Sequence, residues 1–201
     1  QSYVPALTPL MAYEPVEIMA CTYQAVSGAG RRLSDWAEMA GNVIPYIAGE
    51  EEKSEQEPMK IWGLLNDDAS AIAPANSPLI SAQCLRVPVE DGHLAAVSVK
   101  FSKKPDKDSI LAHWAQFNPL AGYGLPSSPP RFLVYHEEAD RPQPALDRED
   151  GRGMAISLGR LREDPILDWR FVCLSHNTLR GAAGGSVLSA ELLRQQGYLT
   201  D

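Results

Sequence analysis

The sequence predicts an α+β fold: a mixed, largely antiparallel sheet with helices on one face. Apolar runs rich in β-formers recur along the whole chain, at 16–26, 79–89, 93–103, 131–138, 153–162 and 167–177. Helical spacing falls between them at irregular intervals, which argues against a regular βαβ array with a parallel sheet. A Glu90-Asp91-Gly92 turn joins two of the runs, the signature of antiparallel neighbours in a hairpin. The chain has 201 residues, 44% of them apolar. With strands spread from end to end it reads as one domain, 1–201.

The elements follow in order. PALTPLMAY near the start reads as the tail of a helix or a loop, and VEIMACTYQAV (16–26) as a buried strand that SGAG (27–30) ends as a turn. Residues 33–40 suit a short helix that Ser34 or Asp35 can cap. In GEEEKSEQEPMKIWGLL (49–65) three early acids favour a helix N-terminus, while Pro58 leaves open a loop followed by a helix from that proline. NDDASAIAPANSP reads as a polar linker. In DKDSILAHWAQF (106–117), Ile110, Leu111, Trp114 and Phe117 share one helical face. ADRPQPALDREDGRG is a long polar connection, and RGAAGGSVLSAELLRQQG (180–197) is a helix whose first turn has almost no side-chain bulk.

A net charge of −8 excludes general affinity for nucleic acid or an anionic membrane, and no apolar run approaches 18 residues. A small anionic substrate stays compatible, because a few local Arg and Lys can hold one. The cysteines Cys21, Cys84 and Cys173 are odd in number, lack zinc-ligand spacing and lie in apolar, strand-like stretches. The expectation is a reducing cytoplasm, no disulfide framework, no structural metal and inert thiols.

Several groups could carry chemistry. In RVPVEDGH (86–93), Arg86 and His93 flank the Asp-Gly turn. The turn can bring both to one sheet end, where Arg would grip a carboxylate and His would move a proton. The alternative is a surface arginine beside a strand-capping histidine. Gln24 ends an apolar strand ahead of a Gly-rich turn, so it is either paired or facing a ligand. SGAGRRL fails as a dinucleotide loop, since Leu33 stands where a third Gly belongs. The acids around Lys53 are a solvated helix start or an anion site. HNTLRGAAGG (176–185) allows close backbone approach to an anion, or tight helix packing.

Taken together, TYQAVSGAG, NVIPYIAGEEEK, SAQCLRVPVEDGH, RPQPALDR, GRLRED and LSHNTLRGAAGGSVLSAELL resemble aspartate-semialdehyde dehydrogenases of the archaeal and fungal branch, in the family's order, from about residue 16 onward. The resemblance implies a fold like the C-terminal domain of glyceraldehyde-3-phosphate dehydrogenase. It implies an NADP-dependent, phosphorylating enzyme that interconverts aspartyl-β-phosphate and aspartate semialdehyde through a cysteine thioester. Carried over residue by residue, it implies His93 and Gln24 as catalytic and Arg86 as the grip on the substrate α-carboxylate. Glu51 would meet the amino group, with Glu50 its rival, and Lys53 the phosphate. Asn177 would approach the nicotinamide of NADP. The implied partners are a small-molecule substrate, phosphate and a second copy of the chain docked through the sheet face, with a tetramer open for the intact enzyme.

The departures shape the expectation as much as the matches. The family's Asn-Cys-Ser nucleophile motif and its Rossmann domain are absent from this chain, Leu94 follows the histidine where Thr is usual, and Ala145 stands where Arg is frequent. The chain is therefore expected to be the catalytic and dimerisation portion of a longer enzyme and inactive alone, with the C-terminal helix (180–201) packing on the Rossmann domain. A malonyl-CoA reductase of the same branch and a purely dimerising module are the alternatives.

Overall fold

The computed structural model describes residues 1–199; the last two residues of the expected C-terminal helix lie outside the described residues. The chain opens with a short helix, α1 (Tyr3–Leu7), followed by a 3-10 turn over Thr8–Tyr13. Strand β1 (Pro15–Gln24) comes next, and helix α2 (Glu50–Ile61) follows a loop. Strands β2 (Leu64–Leu65) and β3 (Ile72–Ala73) form a small ribbon. Then come β4 (Leu79–Arg86), β5 (His93–Phe101), α3 (Lys107–Gln116), β6 (Leu133–His136), α4 (Pro144–Asp147), β7 (Ile156–Glu163) and β8 (Trp169–Ser175). Helix α5 (Gly184–Gln195) ends the described chain.

Six strands make one sheet in the order β4-β1-β5-β8-β7-β6, with β4–β1 and β6–β7 parallel and the other pairs antiparallel. The α+β expectation holds, but the hairpin expectation fails. β4 and β5 do not pair with each other; β1 lies between them. Residues 87–92 cross the end of β1 instead, held by Val87 N–H to Gln24 O (3.0 Å), Val26 N–H to Val89 O (2.9 Å) and Ser27 N–H to Glu90 O (3.2 Å). The turn at Gly92 is real, with φ of +104°, yet it belongs to this crossing. Local turn chemistry cannot reveal a strand inserted from 60 residues away, because the pattern of the two runs fits either pairing.

Strand alternation sorts the sheet into two faces. Ile18, Ala20, Ala95, Val97, Val99, Leu158, Phe171 and Cys173 are buried in one core with α1 and α3, with Trp114 stacked on Tyr135 and edge-on to Phe171, while Ala82 and Cys84 of β4 are buried beside α2. On the other face Met19 and Leu79 are exposed. Helix α3 is capped by Asp106, which accepts from Ser109 N–H at 2.7 Å.

Other local expectations are corrected. Residues 33–40 form two 3-10 turns, Leu33–Asp35 and Ala37–Met39, rather than one helix. The helix at 49–65 stops at Ile61, and Leu64–Leu65 is strand. Pro58 sits inside α2: it removes an N–H that would bond Ser54 O, and the Tyr3 hydroxyl donates to that carbonyl instead. Across its width α2 covers the sheet edge, where Glu55 and Glu51 accept the β4 amides of Ala82 (3.0 Å) and Cys84 (3.1 Å). That caps an edge that would otherwise invite pairing. The expected helix at 180–197 starts as a π-turn over Leu179–Ala183. A Cβ at Gly185 would lie 2.4 Å from Arg180 O, and one at Gly184 2.6 Å from Met154 Sδ, so these small residues serve close packing.

Candidate active site

The register places one residue from each of four adjacent strands in a row. Gln24 is the partner of Arg86 across β1–β4. The β1–β5 register, in which Tyr23 faces Leu94, continues to set Gln24 beside His93. His93 in turn is the partner of Ser175 across β5–β8. Partners across a ladder project from the same face. Arg86, Gln24, His93 and Ser175 therefore run side by side along one end of the sheet. The row reaches a cavity of about 480 Å³ whose lining includes Gln1, Ser2, Gln24, Glu50, Lys53 and His93.

Arg86 is buried, at 6% exposure, beside this cavity rather than lining it. Its Nη1 donates to Ala25 O at 2.7 Å. Its backbone is fixed by the loop residue Ile44, through Arg86 N–H to Ile44 O (2.8 Å) and Ile44 N–H to Arg86 O (3.0 Å). Burial lowers its pKa and the nearby Glu50 charge opposes that, but a guanidinium stays charged at neutral pH. No ion pair with an acidic side chain forms at Arg86 among the described residues, so it is a buried cation without a contacting counter-ion.

His93 receives the Ala25 N–H on Nδ1 at 3.1 Å. That bond requires Nδ1 to be the unprotonated nitrogen, so the ring proton sits on Nε2. Burial, reinforced by the Arg86 charge, lowers its pKa to about 4, and Glu50 and Asp91 oppose the shift. His93 is thus a neutral imidazole at pH 7. A Cβ at Gly28 would lie 3.0 Å from Arg86 Nη1 and 3.0 Å from His93 Cε1 and Nε2, so both groups press on the same glycine.

Gln24 donates weakly to Thr22 Oγ1 and Glu50 Oε2, both at 3.3 Å. Glu50 also accepts from Lys53 Nζ at 3.1 Å. Burial works against its ionisation, yet the hydrogen bonds from Lys53 and Gln24 outweigh it and hold the carboxyl below its usual pKa. Of the three glutamates, the structure brings Glu50 to the site and turns Glu51 away to the β4 amide of Cys84. Asn177 does not line the cavity; its Oδ1 accepts from Gly92 N–H and its Nδ2 donates to Ser27 Oγ, each at 2.8 Å.

Sequence reasoning passed over Ser175, a cavity-lining residue whose hydroxyl is buried and has no partner. Its position one strand over from His93 was legible only from the β5–β8 register. Two of the three cysteines are buried, while Cys21 is partly exposed. Cys84 is buried under α2, and burial pushes the Cys173 thiol up to about 12. His136, Asp147 and Asp150 gather ligand-type atoms within 4.8 Å of one another. Arg141 already bonds Asp147, while His136 (2.9 Å) and Ser157 (2.7 Å) bond Asp150. This is an ion network closing the connection before β7.

A buried guanidinium, an amide and an imidazole lined up at a sheet end beside a cavity form a candidate site for a small polar ligand. The chain belongs to the semialdehyde dehydrogenase dimerisation domain family, which it matches over residues 7–180. It is 42% identical over 188 residues to an aspartate-semialdehyde dehydrogenase of Archaeoglobus fulgidus, covering 94% of this chain and 53% of that protein. It is likewise 42% identical over 197 residues to one of Aspergillus fumigatus, covering 93% of this chain and 53% of that protein. The structure of the Candida albicans aspartate semialdehyde dehydrogenase with NADP superposes with a TM-score of 0.85 at 36% identity, over 96% of this chain and 55% of that one. The chain spans about half the length of the curated relatives it matches.

Proposed function

We propose that this chain is the substrate-binding and dimerising portion of an NADP-dependent aspartate-semialdehyde dehydrogenase, active in the reductive dephosphorylation of aspartyl-β-phosphate. The single observation that carries the reading is Arg86: a buried cation without a contacting counter-ion, beside Gln24 and a neutral His93 at one cavity. A substrate carboxylate would complete it, and a guanidinium holds a carboxylate through two parallel hydrogen bonds.

In this reading Glu50 meets the substrate ammonium group and Lys53, at the exposed rim, meets the phosphate as a point charge. The Nε2–H of His93 faces the reacting end and donates to the oxygen where charge gathers, while the Ala25 amide fixes the ring. Gln24 sets the distance between these two ends. The nucleophilic cysteine and the cofactor fold belong to the other half of such an enzyme. Because Gln1 and Ser2 line the cavity, residues joined before Gln1 would enter beside His93.

NADP, when bound, supplies or accepts the hydride. The residues here suit its nicotinamide end. A Cβ at Gly181 would find nothing closer than 3.7 Å, and Asn177 keeps a second amide hydrogen beyond the one given to Ser27. The exposed Val187 and Leu193 of α5 suit packing against the cofactor half. A second copy would cover the open sheet face around Met19 and Leu79.

The intact protein, assayed with aspartate semialdehyde, phosphate and NADP, should form NADPH, and this chain alone should not. Turnover of malonyl-CoA in preference to the semialdehyde would overturn the reading.

A further inference from the structure

Asn177 lies just past the end of β8, on neither of the loops that carry the site. Its side chain nevertheless joins them. Oδ1 takes the N–H of Gly92, the residue before His93, and Nδ2 donates to the hydroxyl of Ser27, both at 2.8 Å. Ser27 stands between Ala25, which bonds His93 Nδ1 and accepts from Arg86 Nη1, and Gly28, which presses on both. The remaining ties between the two loops include the backbone bonds Val26 N–H to Val89 O and Ser27 N–H to Glu90 O, and Glu90 Oε2 accepting from Leu33 N–H at 3.1 Å. Gly92 has φ of +104°, a conformation with no side chain to anchor it, so the amide of Asn177 does the anchoring.

We infer that Asn177 is a positioning residue: it clamps the turn before His93 to the turn after Gln24, and so sets the imidazole and the guanidinium relative to each other. This is separate from any contact with a nicotinamide, for which the second amide hydrogen is left. The inference rests on the reading of His93 as the proton-handling group.

Three variants of the intact protein separate the roles. N177A removes both bonds of the clamp. S27A removes one and leaves the amide free for a cofactor. N177D rebuilds the clamp, since one carboxylate oxygen accepts from Gly92 N–H and the other accepts the Ser27 hydroxyl proton. The clamp predicts that kcat falls about tenfold or more in N177A, the scale of a small misplacement of a catalytic group. S27A should lose a smaller share in the same parameter, and N177D should recover most of the loss. In S27A, which keeps the Asn177 amide, the KM for NADP should hold. Nitrogen NMR of the imidazole should show Nδ1 as the acceptor in the wild type and a mixture of tautomers in N177A.

Equal damage in N177D and N177A, confined to the KM for NADP, with S27A silent, would reduce Asn177 to a cofactor contact. Unchanged His93 nitrogen shifts in N177A and S27A would overturn the clamp outright. If N177A does not fold, S27A and N177D decide by the same shifts. Absence of any semialdehyde turnover in the wild type would sink the proposed function, while the NMR comparison would still decide the clamp.

Discussion

Gly28 stands so close to His93 that a methyl group on its Cα would lie 3.0 Å from the ring Nε2 and equally near Nη1 of Arg86. Nothing in its backbone demands glycine, because the left-handed positions of this turn fall elsewhere, at Gly30. The requirement is space alone. Gly28→Ala should therefore leave the fold intact while displacing the imidazole or the guanidinium. In the intact enzyme we expect kcat/KM to drop about tenfold or more, with a thermal midpoint close to wild type. An active Ala variant would mean that neither group is held where the chemistry needs it.

His93 also links stability to pH. In the unfolded chain it titrates near 6.5, and in the fold near 4. Above pH 6.5 both states are neutral and the fold has its full stability. As pH falls from 6.5 to 4 the unfolded state takes up a proton that the native state refuses, so stability is lost across that window and levels off below it. A depression of this size corresponds to about 3 kcal/mol. Denaturant melts of wild type and H93Q between pH 7 and 4 should differ in slope, the variant losing less; parallel curves would refute the buried neutral imidazole.

Ser175 makes an unusual case, since its hydroxyl is buried without a partner. Removing an unsatisfied polar atom should cost the fold nothing and can stabilise it, by roughly 1 kcal/mol. Ser175→Ala should thus melt at or above the wild-type temperature. Because the residue lines the cavity beside His93, turnover should fall at the same time. A lower melting temperature with unchanged kinetics would assign Ser175 to structure only.

The neighbours Glu50 and Glu51 should separate cleanly. Glu50→Gln should weaken substrate binding, because that carboxylate faces Gln24 and Lys53 at the cavity. Glu51→Gln should weaken the fold instead, by about 1 kcal/mol, since it changes a charge-assisted bond to the β4 edge. Steady-state KM and melting curves on both variants test the assignment, and a swapped pattern would restore Glu51 to the site.

Legibility from sequence followed physical range. Gln24, Arg86 and His93 were readable because each stands at the end of an apolar run beside a turn; Gln24 and His93 line the cavity and Arg86 is buried beside it. The choice between Glu50 and Glu51 was not readable. One residue along a helix turns a side chain by about 100°, and which direction meets the site depends on how α2 lies on β4. The order of strands was misread for a similar reason. Pairing β4 with β5 satisfied every local signal, and only the tertiary insertion of β1 sets Arg86 and His93 on either side of Gln24. Ser175 and the clamp at Asn177 arise from that same register, so no local motif announces them.

The central claim is that the buried guanidinium of Arg86 binds the substrate carboxylate, and replacing it by lysine tests that most directly. An ammonium keeps the charge but cannot make two parallel bonds. In the intact enzyme, R86K should lower kcat/KM for aspartate semialdehyde by about tenfold to a hundredfold, the equivalent of a lost charged hydrogen bond of about 1.5–3 kcal/mol. Kinetics equal to wild type in a folded R86K protein would contradict the account.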